Sequence, residues 1–420
     1  MQYEYSATHD SWLRQAMFAK DKAKHLDGWR SHYAKIDPEL KFDQFGFIPK
    51  LSDLDRLPHL SFMLRVPFKL RKPYLSKDDR TFHLLENPVR KDKVFQTLMV
   101  ASTGWKGALH SAMVQQLAEW WCNLDDKNSP SHRKEFVARR IGLGRLFGTE
   151  KGIQIDSKEL ENYLDSLGDK YLARWYRRYV RRYLSSSGFF SGWLYFYPTF
   201  FNQIGLEVIN PHDRKTGVGK NPILIESVPI GATGELVILY VPFGKVEKIQ
   251  IAEDLKLVAE RVQAMLTVYG FGAKTSSGFG VADVEGKGEL AIRADLPGLE
   301  QPPEPEIKQP EPELPRYLIA PRQLHPDFQN SNGSLKSEAE YLKGRSGKKE
   351  KQLYDKAKKW WEREGRHLTE TTTQEPVPKP EPPSLRSTVT EVSFANWTEL
   401  GEQARRMAEQ LSGKQEEAEN

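Results

Sequence analysis

Cysteine is almost missing from this chain: one residue, Cys122, among 420. A single thiol forms no disulfide within the chain and no cysteine-based metal cluster, and it fits a reducing cytoplasm. Cys122 follows Trp120 and Trp121, and no His or Asn motif flags a partner for it. A buried, inert thiol is therefore expected rather than a nucleophile. Long apolar runs are missing too. No stretch approaches the ~18 apolar residues that a membrane span requires. The opening Met-Gln-Tyr-Glu-Tyr lacks the basic-then-apolar pattern of a secretory signal. Hydrophobic residues reach only 38%, short of the usual ~45–50%, which points to polar segments outside any core. The net charge of +5 is a mild basic bias, by itself a weak sign of nucleic-acid binding. Aromatics are plentiful, with ten Trp and sixteen Tyr, and several stand among arginines.

The pattern divides the chain into three parts. Residues 1–57 read as an N-terminal extension. Residues 58–297 carry the alternation of a folded α+β domain, with a helical insertion over 125–188. In 60–70, Leu60, Phe62, Leu64, Val66, Phe68 and Leu70 alternate with other residues, the period of a strand with one buried face. Pro67 inside that run predicts an edge position or a bulge. A helix is expected from Thr103 through Trp120–Trp121, and an amphipathic one over 252–269. Gly192–Tyr197, 223–230, 234–243 and 280–284 read as strands. Leu236, Ile238 and Tyr240 alternate with Val237, Leu239 and Val241, so the strand over 234–243 is expected to be buried on both faces. From 298 the composition changes. Prolines alternate with glutamates over 302–315 and recur over 376–383, separating two charged helical pieces near 334–366 and 394–418. Residues 298–420 read as stiff linkers with accessory helices, largely disordered and outside the core.

Two motifs carry chemistry. Residues 270–280 read Gly-Phe-Gly-Ala-Lys-Thr-Ser-Ser-Gly-Phe-Gly. Glycines let backbone N–H groups approach an anion closely, Lys274 adds charge, and Thr275, Ser276 and Ser277 add hydroxyl donors. A nucleotide fingerprint runs from strand to helix, whereas this loop runs from helix to strand, so phosphate of a polynucleotide is the better ligand. The competing reading is a turn that merely tightens the connection. The second motif, Ala101-Ser-Thr-Gly-Trp-Lys-Gly-Ala-Leu-His110, opens a helix. Ser102 and Thr103 can cap free N–H groups there, and Lys106 in the first turn opposes the helix dipole unless an anion sits at that end. A plain capped helix with a solvated lysine is the alternative.

Together these motifs resemble the RAMP superfamily of CRISPR-associated proteins, in particular the backbone-type or end-capping RNA-binding subunits of type III effector complexes. In that family a Ser-Ser-x-Lys-Gly-x-x-Arg element opens the first helix of a ferredoxin-like, RRM-related domain, and a glycine-rich loop closes it. Ser102, Thr103, Lys106 and Gly107 match the first element, with His110 in place of its arginine. Gly272, Lys274, Thr275, Ser276, Ser277 and Gly278 match the second. The Arg145–Gly148 segment, the strand 192–197 and Asn210-Pro211-His212 are similar to the middle of the family. The resemblance covers about 58–290. It implies a ferredoxin-like core, CRISPR RNA and target RNA as ligands, other effector-complex subunits as partners, no membrane, and a cytoplasmic location.

Catalysis stays open. Family members that cleave target RNA carry an aspartate in the loop after the first strand, where a carboxylate holds Mg2+ near the scissile phosphate. Glu86, before Asn87-Pro88-Val89, stands in that place, and Asp78 and Asp79 share its loop. All three also read as solvated loop acids. His83 and His212 are candidates for metal-free acid–base cleavage of guide precursors, or ordinary surface residues. The resemblance favours a non-catalytic binding subunit over either nuclease. Last, Lys170–Arg182 (KYLARWYRRYVRR) interleaves cations with aromatics. Arg174, Arg178 and Arg181, with Arg177 and Arg182, form a positive stripe suited to RNA phosphates, with rings to stack on bases. The same pattern fits a helix with its aromatics in the core and its arginines in water.

Overall fold

The computed structural model describes residues 46–78, 87–93, 97–149, 162–185, 188–213, 215–219, 221–244, 246–297, 299, 317–320, 323–330, 334–343, 348–365 and 389–413. The chain forms two compact units. One comprises Met1–Glu300 together with Ser387–Asn420, and the other Gln301–Arg386.

The larger unit begins, among the described residues, with a 3-10 turn at Leu51–Arg56, followed by β1 (Phe62–Leu70) and β2 (Met99–Val100). The helices α1 (Ser102–Cys122), α2 (Pro130–Phe147), α3 (Tyr163–Leu167) and α4 (Lys170–Tyr179) come next. After them come β3 (Leu194–Phe196), β4 (Thr199–Phe200), β5 (Gly205–Ile209), β6 (Ile223–Ser227), β7 (Thr233–Tyr240), α5 (Lys248–Ala264), β8 (Ala282–Val284) and β9 (Gly288–Ile292). The second unit holds β10 (Leu318–Ala320), β11 (Gln323–Leu324), α6 (Glu338–Tyr341) and α7 (Lys348–Trp360), after which the chain returns to the first with β12 (Thr390–Phe394) and α8 (Trp397–Ser412). Mixed helix and antiparallel sheet make this an α+β protein.

The main sheet has the order β12–β9–β1–β7–β3, all antiparallel, with β8 paired to the later half of β1. The alternation in β1 works as expected. Phe62, Leu64, Val66, Phe68 and Leu70 are buried in one large core with residues of α1, α5 and α8. The opposite face holds a small second cluster, in which Met63, Val237, Leu239 and Ala291 meet Leu54 of the 3-10 turn. β7 is thus buried on both faces at this end. Farther along, the same face turns polar: Arg65 pairs with Glu235 at 2.8 Å and Lys69 with Glu285 at 3.2 Å.

Pro67 lies in a central strand, paired on both sides. Leu70 directs its N–H to Ala232 of the β7 side at 2.9 Å, so by alternation Pro67 faces the β8–β9 side. There the partner strand is interrupted between Val284 and Gly288, and the Pro67 carbonyl accepts from Glu285 N at 3.1 Å. The missing proline N–H therefore falls at a bulge.

Three expectations change. Residues 390–412 belong to the core rather than to an accessory tail. Thr390–Phe394 pairs along β9, and Val392, Phe394, Leu400, Ala404, Met407 and Leu411 enter the main core. Proline and glutamate dominate the preceding stretch and mask this return to alternation. The second unit has a small core of its own, where Phe328 stacks on Tyr341 at 4.4 Å between ring centres and Tyr341 on Tyr354 at 5.5 Å. Cys122 is exposed: Trp121 takes the inward position at the end of α1, and the next residue points away. The N-terminal extension up to residue 45 lies outside the described residues.

Because Met407 is fully buried against the core, Met407→Ala is expected to cost about 2–5 kcal/mol. Urea unfolding checks this, and an unchanged midpoint would contradict the docking of α8.

Candidate nucleic-acid interface

The start of α1 is set from below. Trp105 is fully buried, and its indole N–H donates to Thr199 Oγ1 at 2.9 Å. Thr199 Oγ1 in turn donates to the Glu235 carbonyl at 2.5 Å. This chain of bonds ties the first turn of α1 to β4 and β7. The N-cap is Ala101, and no side chain caps the helix. The expected capping by Ser102 and Thr103 is therefore not made, because both hydroxyls lie inside the first turn rather than at the cap. Gly104 and Trp105 bond back to the Ala101 carbonyl, and the N–H groups of Ser102 and Thr103 have no partner among the described residues. Lys106 is exposed and has no carboxylate partner among the described residues.

The glycine loop follows α5 and a π-helical turn at Met265–Tyr269. Its glycines answer first to packing. Gly270, Gly272, Gly278 and Gly280 all have positive φ. A Cβ on Gly272 would meet the Leu75 carbonyl oxygen and the Tyr74 ring, the ring at 2.6 Å, and one on Gly280 would strike the Phe271 carbonyl. The loop is stitched to the chain leaving β1: Ala273 N donates to Leu75 O at 2.7 Å and Gly280 N to Pro73 O at 2.8 Å. Beneath it, Phe271 packs on Trp105 at 4.5 Å and on Tyr74 at 5.3 Å between ring centres. Burial pushes the Tyr74 hydroxyl above its ordinary pKa, against the pull of Ser76 and Arg90.

Packing thus accounts for Gly270, Gly272 and Gly280. The inner residues hold the loop in place. Lys274, at φ 59°, turns the outer part outward, where Lys274, Ser276 and Ser277 are exposed. Lys274 also lacks a carboxylate partner among the described residues.

The two motifs meet. A cleft of about 320 Å3 is walled on one side by Gly104, Gly107, Ser111 and Gln115 of α1 and on the other by Gly270, Gly272 and Thr275, with Tyr74 and Tyr269 completing it. Of the expected phosphate-binding residues, Gly107, Gly272 and Thr275 line this cleft. Ser102, Thr103, Lys106, Lys274, Ser276, Ser277 and Gly278 belong to the same two elements but do not line it. Ser111, Gln115 and Tyr269 were missed. For Ser111 and Gln115 the signal is present in the sequence, since Gly107, Ser111 and Gln115 recur every four residues and share one helix face; Tyr269 carries no such signal.

The other candidates are placed differently. Arg174, Arg178 and Arg181 are exposed on α4 and the turn after it, and none lines this cleft. Arg177 leaves the expected stripe. It is buried against Asp165, which also binds Arg140 at 2.6 Å, and Arg140 lies over the Tyr176 ring at 4.0 Å. Helix α4 thus turns Leu172, Ala173, Tyr176 and Arg177 inward and its remaining arginines to solvent. Arg145 is structural too, held by Asp254 at 2.5 Å, with Tyr240 Oη donating to the same carboxylate at 2.7 Å. Burial works to lower the Arg145 pKa, and the Asp254 contact overcomes it and raises it. His110 packs edge-on against Phe147 at 5.0 Å. His212 is exposed in the β5–β6 connection. Asp78 follows Leu75 by three residues, and its N–H donates to Pro88 O at 3.0 Å. Asp79, His83 and Glu86 lie outside the described residues. Among the described residues, no group of three His, Cys, Asp or Glu is arranged to hold a metal ion, and no helix is long and apolar enough to cross a membrane.

Gly272→Ala is expected to destabilise the fold more than Gly278→Ala. The first collides with Leu75 and Tyr74, whereas the second meets open space and bears only the left-handed φ, about 1–2 kcal/mol. Paired thermal melts check the order.

No protein-family model and no curated protein matches the chain. Among solved structures, it is similar to a chain in a cryo-EM structure of a type III-B Cmr-beta complex bound to cognate target RNA. That pair shares 13% identity with a TM-score of 0.36, over 65% of this chain and 78% of the other. It is also similar to a chain of a CRISPR RNA-guided surveillance complex, at 13% identity and a TM-score of 0.30, over 56% of this chain and 71% of the other.

Proposed function

We propose that this chain is a CRISPR RNA-binding subunit of a type III effector complex, holding guide RNA through its phosphate backbone. The observation that carries the reading is the cleft between α1 and the glycine loop. Two separate motifs border one groove, each carrying hydroxyls and a lysine with no carboxylate partner among the described residues. Lys106 and Lys274 are the cations, and Ser102, Thr103, Ser276 and Ser277 the added donors. Groups of this kind bind phosphate without reading bases, so specificity is delegated to pairing between guide and target.

The ferredoxin-like assignment of the core belongs to the same proposal. Its support is the element order β1–α1–β3–β7–α5–β9 and the sheet order β9–β1–β7–β3. Helices α2–α4 then enter as an insertion between α1 and β3, and β12–α8 as an addition at the β9 edge. Target RNA and neighbouring effector subunits are the further partners of such a protein.

The test is the double variant Lys106→Ala/Lys274→Ala, measured by fluorescence anisotropy on several guide RNAs. Affinity is expected to fall about tenfold or more, equally for all sequences. The slope of log K against log salt should shrink by about 1.4, the value for two phosphate contacts on a single strand. A loss confined to one guide, or an unchanged slope, would falsify phosphate readout.

A further inference from the structure

Helix α1 borders a second and larger depression. Met113, Gln116 and Leu117 face a cleft of about 630 Å3 between α1, α2, α4 and α5, within the ~300–1,000 Å3 usual for small-ligand sites. On its α4 side stand Trp175 and Tyr179, one helical turn apart, at 38% and 37% exposure. Flat rings half open to water at the mouth of a concave site are suited to stacking a planar group.

The charges in this cleft do not balance internally. Arg261 is half-buried and Lys134 exposed, and neither has a carboxylate partner among the described residues. The acids present are mostly taken. Glu135 binds Arg139 at 2.6 Å, and Asp254 binds Arg145 at 2.5 Å. Glu253 is exposed, and its field acts on Arg145. Arg139 also lies over the Trp120 ring at 4.1 Å. Burial first, and then the positive charge of Arg139, hold the Arg261 pKa below its ordinary value, against the pull of Glu260. A partly desolvated guanidinium beside a second one is a place where an incoming anion relieves strain in the charge distribution.

We propose that this cleft takes one nucleotide of a single-stranded RNA, its base stacked on Trp175 and its phosphate held by Arg261 and Lys134. The inference rests on the RNA-binding reading and extends it to a second, base-accommodating subsite. Planar rings beside cations that have no carboxylate partner among the described residues favour a nucleotide over an apolar protein segment. Continuity with the first cleft adds to this. Gln115 lines the cleft at the glycine loop, and its neighbour Gln116 lines this one. The two depressions therefore lie on adjoining flanks of one helix, and a strand leaving the first can cross that ridge into the second.

The experiment uses the full chain and a short single-stranded oligoribonucleotide carrying 4-thiouridine. After photo-cross-linking, peptide mass spectrometry locates the adduct, and anisotropy measures affinity for wild type, Trp175→Ala, Trp175→Phe and Arg261→Gln. An adduct at Trp175 or Tyr179 is expected. Trp175→Ala should weaken binding about tenfold, the size of one lost base–ring stack, and Trp175→Phe should largely restore it. Arg261→Gln should weaken binding as well; it leaves the aromatic packing in place and decides the matter should Trp175→Ala unfold. Wild-type affinity in Trp175→Ala and Arg261→Gln, or adducts confined to the 270–280 loop, would overturn this subsite and leave the first cleft standing. No binding of any oligoribonucleotide by the wild type would overturn both.

Discussion

The candidate interface depends on one constraint: the backbone of the glycine loop lies directly on the chain leaving β1. Ala273 and Gly280 donate to carbonyls of Leu75 and Pro73, and Gly272 has no room for a side chain against them. Phe271 is thereby driven down onto Trp105, whose indole is tied through Thr199 to β7. One cluster of rings thus fixes both the loop and the first turn of α1. A buried aromatic core brings the two motifs to the walls of one cleft. Preorganisation of this kind lowers the ordering entropy that a binding surface otherwise loses on meeting its ligand.

Much of the sheet could be read from alternation alone, because one face of β1 and both faces of β7 are buried, and burial imposes a period of two. α1 and α5 were readable for the matching reason at helical period. Other parts followed rules that a local pattern does not carry. Arg177 reads as part of a solvent-facing stripe, yet Asp165, twelve residues earlier in sequence, draws it inside. Cys122 reads as buried beside two tryptophans, although the helix turns it the other way. The segment over 390–394 reads as tail because the strand it pairs with, β9, lies far back in the chain. In each case the deciding contact is tertiary, and composition near the residue points elsewhere.

The site divided in the same way. By residue types alone 270–280 reads as an anion-binding loop, but Gly270, Gly272 and Gly280 satisfy steric demands of the fold, and Lys274 and the serines face solvent. Ser111 and Gln115 enter the groove by the geometry of α1, beyond the Ser-Thr-Gly and Lys-Gly motif itself, and Tyr269 enters it from the turn after α5. The charge logic of the insertion was equally hidden. Arginines that look alike in sequence split into buried partners of Asp165 and Asp254 and a set that remains in water.

The return of the chain at β12 has a kinetic consequence. Thr390 pairs with Ile292, so the outermost strand of the sheet closes only after the whole of the second unit has been passed over. Loop closure grows slowly with length, by about 0.6 kcal/mol per doubling, so the intervening stretch can lengthen or shorten with little effect on equilibrium. Contacts this far apart in sequence form late, however. Until they form, the free edge of β9 and the apolar flank of α5 stay open to water, and for that interval the nascent sheet is exposed to pairing with other chains.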